Sequence, residues 1–193
     1  MHDPRAFYSM GLTYAVGPRG ACHLHGCSMI WEGVENPVPE WGLTGTRPPF
    51  VSEGKGKLAK VSQDNLAVVN SMVSCYFMTF LLRPSDLAAA LSAVTGTEYS
   101  AQNLLETGER IMALHRAYNN RCGITRKDDV LVPRQLEPTK EGGSAGKVPD
   151  MEVMINEFYI ESGWTPEGKP SRETLESLGL EDVAQDLYGL QKK

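Results

Sequence analysis

The stretch Ser100-Ala-Gln-Asn-Leu104-Leu-Glu-Thr-Gly108-Glu-Arg-Ile111-Met112-Ala-Leu-His115-Arg-Ala-Tyr118 decides the fold class. Ser100 can accept from the free N–H groups of a first helical turn. Leu104, Gly108, Ile111, Met112, His115 and Tyr118 then recur at steps of three and four, which predicts a long helix with one buried face. His115 falls in that stripe and reads as a core histidine with a hydrogen-bond partner rather than a metal ligand. Glu106, Glu109 and Arg110 fall opposite the stripe or at its edge, at spacings where neighbouring charges interact.

Outward from this helix the same signals continue. On the N-terminal side, Ser85 caps a short Ala/Leu helix closed by Gly96. Before it, Asp64 opens an apolar run from Leu66 to Leu82, either one helix buried all round or two pieces meeting at a polar break, and Pro84 ends it. Residues 32–57 carry Pro37, Pro39, Pro48 and Pro49 among several glycines and predict a long irregular excursion. At the start, Asp3-Pro4 followed by Phe7, Met10, Gly11 and Tyr14 predicts a helix over about residues 4–16. On the C-terminal side, residues 133–150 are loop around Glu141-Gly-Gly-Ser-Ala-Gly146. Met151, Met154, Ile155, Phe158 and Tyr159 then resume helical spacing, and Ser171 and Glu181 open two short helices. With no internal repeat, sustained alternation or glycine-rich phosphate loop, the expected class is all-α, multihelical with long irregular loops. It is read as one unit over 1–193, with a core over 1–130 and a C-terminal lobe over 150–193.

The composition of the 193 residues, 41% hydrophobic and 22% charged, is that of a globular chain. The net charge of −5 carries no basic stripe, so no nucleic-acid partner is expected. No stretch has the roughly 18 apolar residues of a membrane span and residues 1–12 do not resemble an export signal, which predicts a cytoplasmic protein. Cys22, Cys27, Cys75 and Cys122 then read as free thiols or metal ligands. Arg5 and Arg19, and the cluster Arg126, Lys127, Asp128 and Asp129, read as surface ion pairs.

Three separated blocks carry a family resemblance. The first is His2-Asp-Pro-Arg-Ala6 with Gly11-Leu-Thr-Tyr-Ala15 and Arg19-Gly-Ala-Cys-His23. The second runs from Leu104-Leu-Glu-Thr-Gly-Glu-Arg-Ile111 through Tyr118-Asn119 to Thr125-Arg-Lys-Asp-Asp129. The third is Gly163-Trp164 with Gly168, Pro170, Thr174-Leu175 and Leu178-Gly-Leu180. In this order they resemble the C-terminal region of the aldehyde ferredoxin oxidoreductases, over nearly the whole chain. The resemblance implies an oxidoreductase that turns an aldehyde and water into a carboxylic acid. Its cofactors would be a tungsten (or molybdenum) bis-pterin, a molybdopterin-type centre, and a [4Fe-4S] iron-sulfur cluster. Its partners would be an N-terminal portion, ferredoxin for electron transfer and a small aldehyde.

The resemblance also assigns roles. The family's Asp-x-x-Gly-Leu-Cys pattern, which supplies a cluster ligand and touches the pterin, reads here Asn70-Ser-Met-Val-Ser-Cys75. Cys75 becomes the metal ligand, and Asn70 and Ser74 cofactor-binding residues. Asn70 keeps an accepting oxygen without the charge, and Val73 stands where glycine permits close backbone approach. From residue type alone Cys75 reads instead as a buried thiol in an apolar helix. The segment Cys22-His23-Leu-His25-Gly-Cys27 is rich in ligand types but lacks the spacing of a zinc site. The family places His23 toward the metal and substrate as a catalytic proton carrier, and His25 toward the pterin as a hydrogen-bond donor. This reading requires the His23 loop and the Leu66–Leu82 run to face one site. It leaves the chain inactive without its N-terminal part; the alternative is a non-catalytic interaction or scaffold protein derived from the family.

Overall fold

The structure, a computed structural model, describes residues 2–33, 37–80 and 82–189. Val34 to Asn36 of the expected 32–57 excursion and Leu81 of the apolar run lie outside the described residues. The helices are α1 (Tyr8–Val16), α2 (Met29–Gly33), α3 (Lys55–Ser71), α4 (Pro84–Thr95), α5 (Ala101–Arg121), α6 (Met151–Glu161), α7 (Arg172–Ser177) and α8 (Glu181–Tyr188). Among the described residues extended pairing is confined to isolated bridges, Val38 with Leu43, Thr139 with Ala145 and Trp164 with Pro170. The all-α class holds.

Two helix boundaries differ from the sequence pattern for local reasons. The Asp3 carboxylate does not cap a helix over 4–16. It accepts from the Arg5 N–H at 2.9 Å and the Arg5 guanidinium at 2.7 Å, closing a turn, and α1 begins only at Tyr8 after an extended Phe7. The apolar run splits at its polar break: its first half is the end of α3, and Tyr76–Phe80 form a separate 3-10 turn. The helix itself starts nine residues before Asp64, inside the expected loop. Its first N–H groups, those of Gly54 and Gly56, donate to the Glu157 carboxylate at 3.0 and 3.2 Å, where negative charge favours a helix N-terminus.

This longer α3 is the axis of the molecule, packed against α1, α5 and α6. Ala59 joins the core formed by α1 and α6, Leu58 and Val61 join Trp31, Trp41 and Leu43, and Val68 joins Leu87, Ala88 and Leu104. Two glycines set how closely its neighbours approach. A Cβ on Gly108 of α5 would lie 2.2 Å from the Asp64 carbonyl oxygen, and one on Gly56 would lie 2.5 Å from the Glu157 carbonyl carbon. The helices therefore meet backbone to backbone, and the polar run Ser62-Gln63-Asp64-Asn65 is buried.

The caps at Ser100 and Ser171 form as expected, accepting from the N–H groups of Asn103 and Thr174 at 3.1 Å each. Ser85 does not cap α4: Arg83 holds that position with Pro84 first in the helix, and Ser85 instead donates to the Glu40 carboxylate. The buried face of α5 is rotated from the predicted stripe, to Leu104, Gly108, Met112, Ala113, Arg116 and Ala117. His115 and Tyr118 are exposed, because Arg116 points inward. Its guanidinium donates to both oxygens of Asp129 at 2.8 and 2.7 Å and to the Gly168 carbonyl at 2.7 Å, and lies 4.7 Å over the Trp164 ring. The Tyr159 hydroxyl also donates to Asp129. Asp129 is thus a buried partner and not a surface charge.

At its C-terminus α3 closes with the Ser74 N–H on the Val69 carbonyl and the Val73 N–H on the Asn70 carbonyl, both at 3.1 Å. This paired closure requires a left-handed residue, and Val73 takes it at φ 54° with its side chain 92% exposed. For a β-branched residue that conformation costs about 1–2 kcal/mol.

Three expectations follow. Gly108→Ala must push α5 off α3 and should lower stability by about 2–3 kcal/mol in denaturant unfolding. Val73→Gly should raise it by about 1 kcal/mol, part of the relieved strain being offset by the freer unfolded chain. The third concerns Asp64, whose carboxylate lies 2.8 Å from the Lys60 ammonium yet is pushed by burial from 3.8 to about 6. The folded protein then binds a proton that the unfolded chain gives up between these values, so the stability Asp64 contributes is present at low pH and lost as pH rises through 6. Moving from about pH 7.5 to about pH 5 should stabilise the wild type by about 1–2 kcal/mol more than Asp64→Asn.

Candidate functional site

The first candidate segment, Cys22 to Cys27, folds as a 3-10 turn over His23–His25 and packs on α1 and α3. Its closing glycine is required there. Gly26 has φ 149°, and a Cβ on it would lie 2.6 Å from the Thr13 side chain and 2.7 Å from that of Gln63. His23 and His25 are half-buried and Leu24 is exposed. Burial, reinforced by the charges of Arg19 and His115, lowers the pKa of His25 and favours its neutral ring. A neutral imidazole can offer one N–H and one acceptor at the same time.

His2, which the sequence reading did not single out, stands beside this segment. Its ring meets that of His23 edge-on, with centroids 5.2 Å apart, and its backbone N–H donates to the Tyr14 hydroxyl at 3.3 Å. The Asp3–Arg5 turn holds it there, since Arg5 also donates to the carbonyl of Glu137 at 2.9 Å and so ties the amino-terminal turn to the loop after α5. Burial, with the nearby charges of His23 and the amino terminus, lowers the pKa of His2 as well. Only the position of His2 two residues before a prolyl-arginine turn could have signalled it.

The second segment is the end of α3 and the turn that follows. Asn70 and Cys75 are exposed and Ser74 is half-buried, so Cys75 is not the buried thiol that residue type alone suggests. A solvent-facing thiol can be reached by a metal centre. The exposed Val73 side chain occupies the outer side of the same turn. The residues therefore fit a cluster ligand at Cys75 and fit close backbone approach by a pterin less well.

The two segments meet through side chains that neither assignment included. The Tyr76 side chain lies beside the buried Cys27 thiol, close enough for each to shift the other's pKa, and both 3-10 turns pack on α3. Burial raises the pKa of Cys27, and burial together with the thiol raises that of Tyr76, so both stay neutral. Cys27 is thereby a structural thiol, while Cys22 accepts from Arg19 at 3.4 Å. Among the described residues no three His, Cys, Asp or Glu side chains are arranged to hold a metal ion. Nor is any helix long and apolar enough to cross a membrane.

Comparison with known proteins places this geometry in a lineage. Residues 1–180 match the family described as aldehyde ferredoxin oxidoreductase, domains 2 & 3. The chain is 34% identical over 183 residues to a tungsten-containing aldehyde ferredoxin oxidoreductase of Pyrococcus horikoshii, covering 94% of this chain and 29% of that protein. It is 26% identical over 194 residues to the WOR-like subunit of an aliphatic sulfonate oxidoreductase of Pyrococcus furiosus, covering 96% of this chain and 27% of that one. The chain thus spans less than a third of the length of the curated relatives it matches. Among solved structures, the active site complex BamBC of benzoyl coenzyme A reductase shares the fold, with a TM-score of 0.59, 22% identity and coverage of 76% of this chain and 23% of that one. The chain belongs to the aldehyde ferredoxin oxidoreductase family, in the region of its domains 2 and 3.

Proposed function

We propose that this chain is the C-terminal part of an enzyme that oxidises a small aldehyde to a carboxylic acid in the cytoplasm and passes the electrons to ferredoxin. The observation that supports the reading is that the His23 and Cys75 turns both pack on α3, with the Tyr76 side chain beside the Cys27 thiol. A tungsten or molybdenum bis-pterin would supply the two-electron oxidation and a [4Fe-4S] cluster the one-electron steps. Cys75 would provide one thiolate to the cluster, and an N-terminal portion the other ligands and the remaining walls of the site.

The chain's own residues then have defined tasks. Asn70 and Ser74, at the end of α3, would accept from pterin N–H groups, and His25, with its neutral ring favoured by burial, would donate to the cofactor from the opposite turn. His23, half-exposed beside His2, would hold or take a proton at the aldehyde oxygen or its hydrated form.

A specific observation favours a second reading, a non-catalytic scaffold derived from the family. Val73 keeps the left-handed conformation of a glycine while placing an exposed side chain where the pterin would approach. Co-expression with a matching N-terminal portion, followed by metal analysis and aldehyde-dependent dye reduction, separates the two. The enzyme reading expects about four irons with one tungsten or molybdenum per complex, iron loss in Cys75→Ser, and dye reduction by the complex but not by this chain alone. A stable complex without metal would establish the scaffold.

A further inference from the structure

Beside Gln63, the residue on which Gly26 rests, helices α3, α5 and α6 enclose a cavity of about 10 Å³ with a polar wall of Lys60, Gln63, Asp64, Glu109 and Ser162 and an apolar wall of Met112, Ala113, Phe158 and Trp164. That is about the room one water centre needs. Gln63 is 1% exposed; its amide nitrogen donates to the Thr13 carbonyl at 3.4 Å, but its Oε1 receives no hydrogen bond from the protein. An unpaired buried amide oxygen costs roughly as much as a lost hydrogen bond, so an unpaired acceptor on a residue that lines a partly polar cavity calls for a donor.

We propose that this cavity is the binding site of one ordered water, which donates to Gln63 Oε1 and accepts from the Lys60 ammonium. The donor and acceptor inventory closes. Lys60 has three N–H groups, of which two point to Asp64 at 2.8 Å and Glu109 at 3.4 Å, leaving the third for the water. The second hydrogen of the water goes to a remaining oxygen of Asp64 or Glu109. A cation is not the ligand, because the Lys60 charge already sits in the cavity wall.

The water completes a polar path. The Glu109 side chain is 29% exposed, whereas Asp64 is buried and can exchange a proton with solvent only through its neighbours. Glu109, Lys60, Asp64, the water and Gln63 then form a continuous chain from the surface to the underside of the loop that carries His23.

Two measurements on the 193-residue chain test the proposal. A crystal structure at about 1.5 Å resolution should show a fully occupied water within hydrogen-bond distance of Gln63 Oε1. Magnetic relaxation dispersion should count one fewer long-lived water in Gln63→Met, which keeps the side-chain length without the amide. An unchanged count in a folded Gln63→Met protein would overturn the assignment, as would the lack of a density peak at Gln63 Oε1 in the wild type. Should Gln63→Met fail to fold, the wild-type density decides alone.

Discussion

Everything else in this structure depends on α3 touching two other helices backbone to backbone. Gly108 admits the Asp64 carbonyl to the surface of α5, and Gly56 admits α6 at Glu157 and Phe158. At such distances side chains cannot lie between the helices and must leave sideways, so the middle of α3 is closed off from water even where its residues are polar. The burial of Ser62, Gln63, Asp64 and Asn65 is therefore a result of helix spacing and not of hydrophobicity. Charges so enclosed need partners. Lys60 serves Asp64 and Glu109, while Lys55, at the start of the helix, pairs with Glu32, which also accepts from Ser9.

A second buried pair fixes the far side of the molecule. Arg116 binds Asp129 through both oxygens, reaches the Gly168 carbonyl and lies over Trp164, so α5, the turn after it and the loop after α6 are held at one point. A Cβ on Gly168 would lie 2.4 Å from the Arg116 guanidinium. Asp129, Trp164 and Gly168 all belong to the second and third blocks that carry the family resemblance, and their meeting gives those blocks a physical task in the fold. The first block has another: Asp3 and Arg5 close the turn that holds His2 against His23.

The parts of the fold that were legible in the sequence are those decided by local chemistry. Ser100 and Ser171 cap because their hydroxyls reach the third residue on, and Met154, Ile155, Phe158 and Tyr159 line a core because their period is unbroken. The first half of α3 was hidden because Lys60, Ser62, Gln63, Asp64 and Asn65 mask the apolar period in a helix that tertiary contacts enclose. His115 was misplaced for the related reason that Arg116, the strongest polar signal in its stretch, is the residue that turns inward. At the candidate site, residue types pointed to His23 and Cys75, but nothing in their spacing reveals that Tyr76 reaches Cys27 across more than forty residues. That contact comes from where α3 ends, which the pattern did not show.

The end of α3 also separates two properties that the family pattern joins in one motif. The outward placement of Cys75 depends on the backbone bonds from Val73 and Ser74 to Asn70 and Val69, and these form even though valine occupies the left-handed position. Close approach of a cofactor to that backbone depends instead on the absence of a side chain, and Val73 supplies one that faces solvent. The substitution therefore leaves the geometry of a thiolate ligand intact while filling the space beside it. Strain of this kind persists only where the surrounding bonds over-determine the turn. Here the last carbonyls of α3 do so, and the presentation of Cys75 is a property of the helix end itself, independent of whether a pterin is bound.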